Sequence, residues 1–363
     1  MKLAIVHDYL NQYGGAEKVV ESLNEIFPSA PIYTSIYIPE NMPESFKKMD
    51  IRTSFMQKLP FIKKRFKEYF LIYPFAFRSF DLSDYDIVLS SSSAYAKGVK
   101  LPESVLHICY CYTPTRFIWR FEQYIENEKM GKIKKKILFY LTHILKKWDI
   151  KTAEKVNYFI STCENIRNRI KNIYKKESEV IYPPVETDRF SISKNINKYF
   201  LVVSRLNAYK KIDLVIETLN YLKLPLRIIG DGPCRKHLEE IAGPTIEFLG
   251  KVDEKVLAEN YSSCRALIFP GEEDFGIVPV EAMASGRPII AYAAGGALET
   301  VIENKTGVFF KEQNVDSLKD AINRVDKISF DSNFIRQYAD KFNKTNFSSK
   351  IKDFVNNKYK RIK

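Results

Sequence analysis

The sequence predicts an α/β protein built from two doubly wound domains, and three observations lead to that prediction. Short apolar runs alternate with longer amphipathic stretches, as in parallel sheets that are covered by helices on both faces. A chain of 363 residues is long for one hydrophobic core. Near the middle, Pro183-Pro184 and the polar stretch Glu186–Lys198 interrupt the alternation. We therefore expect a first domain of residues 1–184 and a second domain of residues 185–345.

The first half begins with a strand, a glycine loop and a helix. Leu3–Val6 is apolar, Gly14 and Gly15 follow, and a helix is predicted from about Ala16 to Ile26. Glycines at this place let backbone amides approach a phosphate or a sugar, although the GxGxxG pattern of dinucleotide-binding loops is absent. The further strands predicted in this half are Ile87–Leu89, Val105–Tyr110 and Tyr158–Ile160.

Polar side chains lie near the ends of these predicted strands. His7 directly follows the first strand, beside Asp8, and α/β proteins place ligands at the carboxyl ends of their strands. A plain hydrogen-bonding role at the strand end is the alternative for His7. Arg116 belongs to the segment Thr113–Arg120, TPTRFIWR, which either lines a cleft or forms a turn held by Pro114.

The second half repeats the order of strand, loop and helix. Its predicted strands are Tyr199–Val203, Leu226–Ile229, Ile246–Leu249, Ala266–Phe269 and Pro288–Tyr292. After the first of them, Arg205 and Lys210 lie in a loop before a helix that runs from about Ile212 to Tyr221. Two cations in such a loop are able to bind a pyrophosphate, because each charge-assisted hydrogen bond contributes about 1.5 to 3 kcal/mol. A basic final helix, Asn346–Lys363, is long enough to cross back to the first domain.

The stretch Phe269–Gly286 has the sequence FPGEEDFGIVPVEAMASG, and two of its glutamates, Glu273 and Glu281, have seven residues between them. Glu273 is predicted in a tight loop after a strand, and Glu281 in the first turn of a short helix, Pro279–Ser285. Amides at the start of a helix bind anions, and carboxylates accept hydrogen bonds from hydroxyl groups. The combination suits a sugar nucleotide, which carries both phosphates and hydroxyls. A capped helix at a domain surface would show the same spacing.

The composition and net charge indicate what kind of protein this is and where it is located. Hydrophobic residues make up 45% and aromatic residues 13%, which indicates a globular chain, and the formal net charge of +13 predicts an anionic partner. Five cysteines without a CxxC pair favour a reducing cytosol. The N-terminal apolar run is too short for a signal peptide, and no run is long enough to span a membrane. We expect a cytoplasmic protein, either soluble or peripheral to a membrane.

Two basic stretches have the composition of interfacial membrane segments. Phe55–Phe80 interleaves nine aromatic residues with six lysines and arginines, and Lys129–Lys151 contains eight lysines. A solvated helix over a core has the same pattern. Single-stranded RNA binding uses the same residue types, but no RNA-binding signature accompanies them, so no nucleic acid partner is expected.

Six ordered motifs of the second half resemble the retaining, nucleotide-sugar-dependent glycosyltransferases of family four, whose GT-B fold has two Rossmann-like domains facing across a cleft. The motifs are SRLxxxK, GDGP, FLGxV, E(D)FGxxxxE, AxASGxPxIA and GGxxE. In the first half, HDYLxxxGGAEKV, YDIVLSSSxAxAKG and TPTRFIW resemble a branch that includes bacterial O-antigen mannosyltransferases. The resemblance covers essentially the whole chain.

The resemblance implies three catalytic residues. Glu273 would contact the donor sugar, while Arg205 and Lys210 would bind its pyrophosphate and stabilise the charge on the departing diphosphate. The further donor-binding positions that it implies are the Gly14-Gly15 turn, the Val252 loop at the base, the amides after Phe275 at Gly276 and Ile277, and Glu281 at the ribose hydroxyls. We expect no cofactor and no metal ion, because the only DxD, Asp84-Tyr85-Asp86, directly precedes a strand.

The resemblance also assigns the acceptor to the first domain, where His7, Tyr112 and Arg116 are the candidate contacts. Relatives of the branch often carry histidine where this chain has Ser93 and Tyr112. The implied reaction moves a sugar to a lipid-linked or growing saccharide in lipopolysaccharide or surface polysaccharide synthesis, on the anionic inner face of the plasma membrane. GDP-mannose is the first donor expected and UDP-sugars are the second. A sugar-nucleotide epimerase of the same fold and an inactive scaffold are the alternatives.

Overall fold

The computed structural model describes residues 1–119 and 132–361, and the chain divides into two compact units. The first comprises Met1–Pro184 and Phe347–Lys363, and the second comprises Val185–Asn346. Among the described residues, each unit contains one sheet in which all neighbouring strands are parallel. The predicted fold class, α/β with two doubly wound domains, is therefore confirmed.

The first unit has a seven-stranded sheet in the order β3-β2-β1-β4-β5-β6-β7. Its strands are β1 (Leu3–His7), β2 (Ile32–Thr34), β3 (Ile51–Thr53), β4 (Ile87–Ser92), β5 (Leu106–Cys111), β6 (Tyr158–Ser161) and β7 (Ser178–Val180). The chain adds β2 and β3 on one side of β1 and the other strands on the opposite side. The strand order therefore reverses between β1 and β4, and such a switch point is where doubly wound sheets bind ligands.

Helices cover both faces of this sheet. They are Gly15–Ile26, Ile62–Arg65, Tyr73–Arg78, Arg116–Trp119, Lys132–Glu154 and Glu164–Tyr174, with short 3₁₀ turns at Pro39–Asn41, Glu44–Lys48, Phe55–Lys58, Phe66–Tyr69 and Ala96–Gly98. Alternate residues of β1 face opposite sides, so Leu3 and Ile5 join one hydrophobic cluster while Ala4 and Val6 join the other.

The last helix of the chain, Lys344–Lys360, supplies part of the core of the first unit. Four of its apolar side chains are buried in the same cluster as Leu3 and Ile5; they are Phe347, Ile351, Phe354 and Val355. Their spacing puts them on one helical face. The prediction that the final helix returns to the first unit is confirmed, although the helix begins two residues earlier than predicted.

The second unit has a six-stranded sheet in the order β10-β9-β8-β11-β12-β13. Its strands are β8 (Phe200–Val203), β9 (Leu226–Ile229), β10 (Ile246–Gly250), β11 (Leu267–Phe269), β12 (Ile289–Tyr292) and β13 (Gly307–Phe310). Its helices are Ile212–Leu222, Arg235–Ile241, Glu254–Ser263, Ile277–Ala284, Ala297–Thr300, Val315–Val325 and Ser332–Ala339, with 3₁₀ turns at Thr187–Arg189, Ala208–Lys210 and Asp340–Phe342. The switch point of this sheet lies between β8 and β11.

The two basic stretches fold into helical segments of the first unit. Phe55–Phe80 forms several short turns rather than one helix; Tyr73 and Phe77 are buried, whereas Phe61 and Phe75 are 74% and 67% exposed. Of Lys129–Lys151, the part before Lys132 lies outside the described residues, and the rest belongs to the helix Lys132–Glu154. None of the helices in the described part of the chain is long and apolar enough to cross a membrane.

Candidate functional site

Two loops of the second unit leave adjacent strands at its switch point. One follows β8 and carries Arg205 and Lys210, and the other follows β11 and carries Glu273. The ammonium group of Lys210 forms an ion pair with the Glu273 carboxylate, and the two side chains are 14% and 29% exposed. Arg205 is exposed near the start of the same loop. The structure thus joins two of the three predicted catalytic residues directly.

This ion pair is suited to a ligand that carries both phosphates and hydroxyls. Lys210 offers three N–H donors to an anion, and the Glu273 carboxylate has lone pairs for hydroxyl groups. Because both side chains keep some exposure, a ligand is able to reach either partner. In the absence of a ligand, each charge is neutralised by the other.

A pair of glycines holds the backbone of Glu273. The Gly296 N–H donates to the Glu273 carbonyl at 2.8 Å, and an added Cβ at Gly295 would lie 2.1 Å from that oxygen. Gly295 also has φ +59°, a conformation that favours glycine. The two glycines of the GGxxE motif therefore fix the loop that carries Glu273, a role that the motif does not reveal in the sequence.

The helix Ile277–Ala284 begins earlier than predicted. Gly276 precedes it with φ +87°, and Pro279 is its third residue, where a helix needs no N–H donor. Glu281 is consequently the fifth residue, so its predicted place in the first turn is wrong. Its side chain is mostly buried, and its carboxylate accepts a hydrogen bond of 2.8 Å from the Tyr261 hydroxyl. Burial and the neighbouring Glu281 charge raise the pKa of Tyr261 well above its ordinary value.

The remaining donor-side candidates of this unit lie around the same sheet edge. Phe275 is buried, and its ring packs edge-on against Phe342 with centroids 5.7 Å apart. The amides of Gly276 and Ile277 lie at the start of the helix that follows. Val252 is partly buried in the loop after β10, which is the edge strand two positions away from β8.

In the first unit, His7 and Tyr112 both contact Ser91 of β4, the strand that lies beside β1 at the switch point. His7 Nδ1 lies 3.0 Å from Ser91 Oγ, and the Tyr112 hydroxyl lies 2.7 Å from the same oxygen. The Tyr112 hydroxyl also donates to the carbonyl of Ala16 at 3.0 Å. His7 is 2% exposed, so the hydrogen-bonding role left open by the sequence is present in the structure.

Glu17 links this network to the glycine turn. One of its carboxylate oxygens accepts the Gly14 N–H at 2.9 Å, and the other lies 3.7 Å from His7 Nε2. Gly15 begins the helix that follows. Arg116 is exposed in the first turn of Arg116–Trp119. Arg120, the end of the predicted TPTRFIWR segment, lies outside the described residues.

Two buried polar centres were not assigned a role from the sequence. The Asp8 carboxylate, 1% exposed, accepts hydrogen bonds from the loop after β4. Lys97 Nζ lies 2.5 Å from Asp149 Oδ1, and both side chains are buried. Burial acts to lower the pKa of Lys97, but attraction and hydrogen bonding to Asp149 outweigh it and raise that pKa. The position of Asp8 after a strand was a usable signal, whereas Asp149 in a lysine-rich helix gave none.

The DxD segment has structural contacts. Asp86 accepts the Lys2 backbone N–H at 2.7 Å, and Asp84 lies 3.9 Å from the Lys2 ammonium group, so both carboxylates sit at the amino ends of β1 and β4. Within residues 1–119 and 132–361, no group of three or more His, Cys, Asp or Glu side chains has the arrangement of a metal site. Catalysis without a metal or cofactor stays a prediction.

Known glycosyltransferases are similar to parts of this chain in sequence and to nearly all of it in fold. Residues 185–342, most of the second unit, match the family model of Glycosyl transferases group 1. An uncharacterized glycosyltransferase of Methanocaldococcus jannaschii is 29% identical over 168 residues, which cover 45% of this chain and 48% of that protein. A GDP-mannose-dependent alpha-(1-6)-phosphatidylinositol monomannoside mannosyltransferase of Mycobacterium tuberculosis is 29% identical over 174 residues, which cover 40% and 45%. In these two cases the chain spans about half the length of its curated relative.

One relative is matched over nearly its whole length. The alpha-1,3/1,6-mannosyltransferase ALG2 of Dictyostelium discoideum is 22% identical over 391 residues, which cover 90% of this chain and 89% of that protein.

Solved structures agree in fold. The lipopolysaccharide outer core galactosyltransferase WaaB has a TM-score of 0.70 at 16% identity, covering 99% of this chain and 100% of that one. Sucrose-phosphate synthase from Thermosynechococcus elongatus has a TM-score of 0.74 at 17% identity, with the same coverage. Anabaena HepE in complex with UDP has a TM-score of 0.71 at 14% identity, covering 98% and 100%.

The fold is that of these GT-B neighbours, and residues 185–342, less than half of the chain, are similar to the group 1 glycosyl transferases.

Proposed function

We propose that this enzyme transfers mannose from GDP-mannose to a saccharide acceptor with retention of anomeric configuration. The observation that carries the proposal is the Lys210–Glu273 ion pair at the β8/β11 switch point, inside the region that matches the family model. The choice of mannose is supported by relatives named as mannosyltransferases, one of them GDP-mannose-dependent.

In the proposed complex, the diphosphate replaces Glu273 as the partner of Lys210. Arg205 binds the same diphosphate, and the amides of Gly276 and Ile277 point toward its oxygens. Glu273, released from Lys210, accepts hydrogen bonds from hydroxyls of the donor sugar. Cations and amides that are already in position stabilise charge on the leaving diphosphate more effectively than mobile water does.

Retention is accounted for by attack from the face that the diphosphate leaves. A phosphate oxygen of the donor takes the proton of the acceptor hydroxyl, so no protein base is needed in this step. Glu281 contacts the ribose hydroxyls, a role that suits a carboxylate because its two oxygens are able to accept several hydrogen bonds. Neither a metal ion nor a cofactor takes part.

The acceptor is proposed to be a lipid-linked saccharide of a bacterial surface polysaccharide pathway, reached at the cytoplasmic face of an anionic membrane. Support comes from the segment around Phe61 and Phe75, whose exposed rings accompany the exposed cations Lys63, Lys64 and Arg65. Exposed aromatic rings and cations together suit the interface of an anionic bilayer.

The helix Lys132–Glu154 adds exposed apolar side chains to the same unit. Ile137, Tyr140 and Ile144 are 56%, 73% and 56% exposed, whereas Leu145 and Asp149 face the interior. The helix therefore has one side covered by the unit and another that carries apolar groups and lysines into solvent. Such a side is suited to contact lipid headgroups and the adjoining acyl chains.

A UDP-sugar is the second candidate donor, because the structural neighbour HepE was solved with UDP. A sugar-nucleotide epimerase of the same fold would convert the nucleotide sugar without an acceptor, and an inactive scaffold would convert nothing. The product distinguishes these possibilities: a UDP-sugar transferase yields a glycosylated acceptor, an epimerase yields a changed nucleotide sugar, and a scaffold yields no product.

The experiment is a panel of nucleotide sugars in two assays. Thermal shift with GDP, GMP and UDP measures recognition of the base and the diphosphate, and transfer to a series of octyl glycosides measures reaction. We expect GDP to raise the unfolding temperature most and GDP-mannose to yield a mannosylated glycoside. A larger rise in unfolding temperature with UDP than with GDP would show that the donor is a UDP-sugar. If no nucleotide sugar of the panel yields a transfer product, the proposed reaction is wrong.

A further inference from the structure

We propose that Asp8 is a positioning residue: its carboxylate holds the loop Ser93–Gly98 in the conformation that receives the acceptor. The inference rests on the proposed function for placing the acceptor at the first unit. Asp8 directly follows β1 and the loop directly follows β4, so the contact lies at the switch point of this sheet.

Four consecutive backbone N–H groups converge on this one carboxylate. Oδ2 accepts from Ser93 at 2.6 Å and from Ala94 at 3.0 Å, and Oδ1 accepts from Tyr95 and Ala96 at 2.7 Å each. The Ser93 hydroxyl adds a fifth hydrogen bond at 3.0 Å. Successive amides that point at one place form a nest, the arrangement that binds phosphate in other proteins.

In this protein the nest is filled by a carboxylate of the chain itself. Asp8 is 1% exposed, so a ligand does not reach it, and both of its oxygens are already engaged. It therefore acts through the loop rather than on the reacting atoms. Without this carboxylate, buried amides of the loop would lose their partner, and unpaired buried amides favour a change of conformation.

The far end of the loop is held by a second buried group, Lys97. Lys97 Nζ contacts Asp149 Oδ1 at 2.5 Å and the Thr115 hydroxyl at 3.3 Å. An added Cβ at Gly98 would lie 2.4 Å from the ring of Trp148, so the backbone is pressed against that ring. Lys97 Nζ also donates to the Ala94 carbonyl at 2.8 Å. Asp8 thus holds the amides of residues 93–96, while Lys97 holds the Ala94 carbonyl and the far end of the loop.

Ser93 connects this arrangement to specificity. Its hydroxyl donates to Asp8 Oδ2 at 3.0 Å, and Ser93 is partly exposed whereas residues 94–98 are buried, so Ser93 is the part of the loop that an acceptor is able to reach. A change at Asp8 should therefore alter how an acceptor is held and leave the donor site in the second unit as it is.

The test uses Asp8→Ala in the full-length enzyme, because formate supplies the carboxylate that this substitution removes. Asp8→Asn keeps the side-chain volume and leaves no room for formate. The matched control is Asp86→Ala, which removes another aspartate that accepts a backbone N–H, at the opposite ends of the same two strands. Sodium chloride at equal ionic strength controls for salt.

Two readouts are compared. Hydrogen exchange follows the amides of residues 93–96, and steady-state kinetics follow transfer to the octyl glycoside that the wild type uses best. In Asp8→Ala we expect these amides to exchange faster and the KM for the glycoside to rise about tenfold to a hundredfold, the scale of a small misplacement, with GDP affinity unchanged. We expect formate to restore the protection of the amides and the KM for the glycoside in Asp8→Ala, and to restore neither quantity in Asp8→Asn. Asp86→Ala should retain the wild-type KM.

Amides 93–96 that stay protected in Asp8→Ala would overturn the inference. An unchanged KM after the amides are released would also overturn it, as would a parallel loss of GDP binding. If the wild type transfers nothing to any glycoside, the proposed function has failed; the exchange experiment still decides whether Asp8 holds the loop.

Discussion

Replacing Glu273 with glutamine should separate the two roles of the Lys210–Glu273 pair. Glutamine keeps the shape of the side chain and removes its charge. Lys210 then has no anionic partner at this position and is available to a diphosphate before binding. We expect Glu273→Gln to bind GDP more tightly than the wild type and to transfer sugar more slowly.

The magnitudes follow from the exposure of the pair. With side chains 14% and 29% exposed, the pair lies between a surface ion pair, which contributes less than about 1 kcal/mol, and a buried one. Taking about 1 kcal/mol for the interaction that GDP must displace, the Kd for GDP should fall about fivefold. The lost charge-assisted hydrogen bond to the sugar is worth about 1.5 to 3 kcal/mol, which slows turnover about tenfold to a hundredfold.

Isothermal titration with GDP and initial rates at saturating donor measure the two effects. Glu272→Gln is the control, because it changes the net charge equally at the neighbouring position. Unfolding midpoints of both variants should stay close to that of the wild type, since the loop lies outside the hydrophobic cluster of this unit. GDP affinity that is unchanged or weaker in Glu273→Gln, or turnover within about threefold of the wild type, would refute the reasoning.

Three further predictions concern other parts of the chain. Lys210→Ala should weaken GDP about tenfold and GMP much less, because only the diphosphate reaches this cation; equal losses in a competition assay would contradict it. Reversing Lys63, Lys64 and Arg65 to glutamate should release the enzyme from anionic vesicles in a sedimentation assay while GDP binding persists, and unchanged sedimentation would return this stretch to a solvated surface. Burial and the charge of Lys97 lower the pKa of His107 to about 3. Because the unfolded chain takes up a proton at His107 that the folded chain does not, the free energy of unfolding should fall as the pH falls from about 6.5 toward 3, by up to about 1.4 kcal/mol per pH unit. His107→Gln should remove this contribution to the pH dependence, as measured by urea unfolding.

Periodicity and motif order were sufficient for the fold class and for the loops that carry the candidate site. Each strand that was predicted is present within a few residues, because a buried parallel strand needs a continuous apolar run. The strands that were missed are β2, β3 and β7, of three residues each, and β13. β7, with the sequence SEV, has no apolar run to reveal it.

The predicted start of the helix Ile277–Ala284 is wrong. Proline is common in the first turn of helices, so the sequence predicts a helix that begins at Pro279. The structure begins it at Ile277, because Gly276 adopts a positive φ that turns the chain into the helix. Glu281 consequently moved out of the first turn. The presence of a glycine does not by itself predict a positive φ value, so the first residue of this helix is known only from the backbone of the structure.

The sequence by itself determined which residue types follow each central strand, since strand order and composition are local properties. Only the tertiary structure decided which of them meet: Lys210 with Glu273, and Asp8 with a nest of amides more than eighty residues away. Backbone N–H groups are the same in every residue except proline, so a nest leaves no trace in composition. Which side chain fills it depends on the lateral order of the strands, here β1 beside β4, and that order is fixed by the packing of the whole sheet.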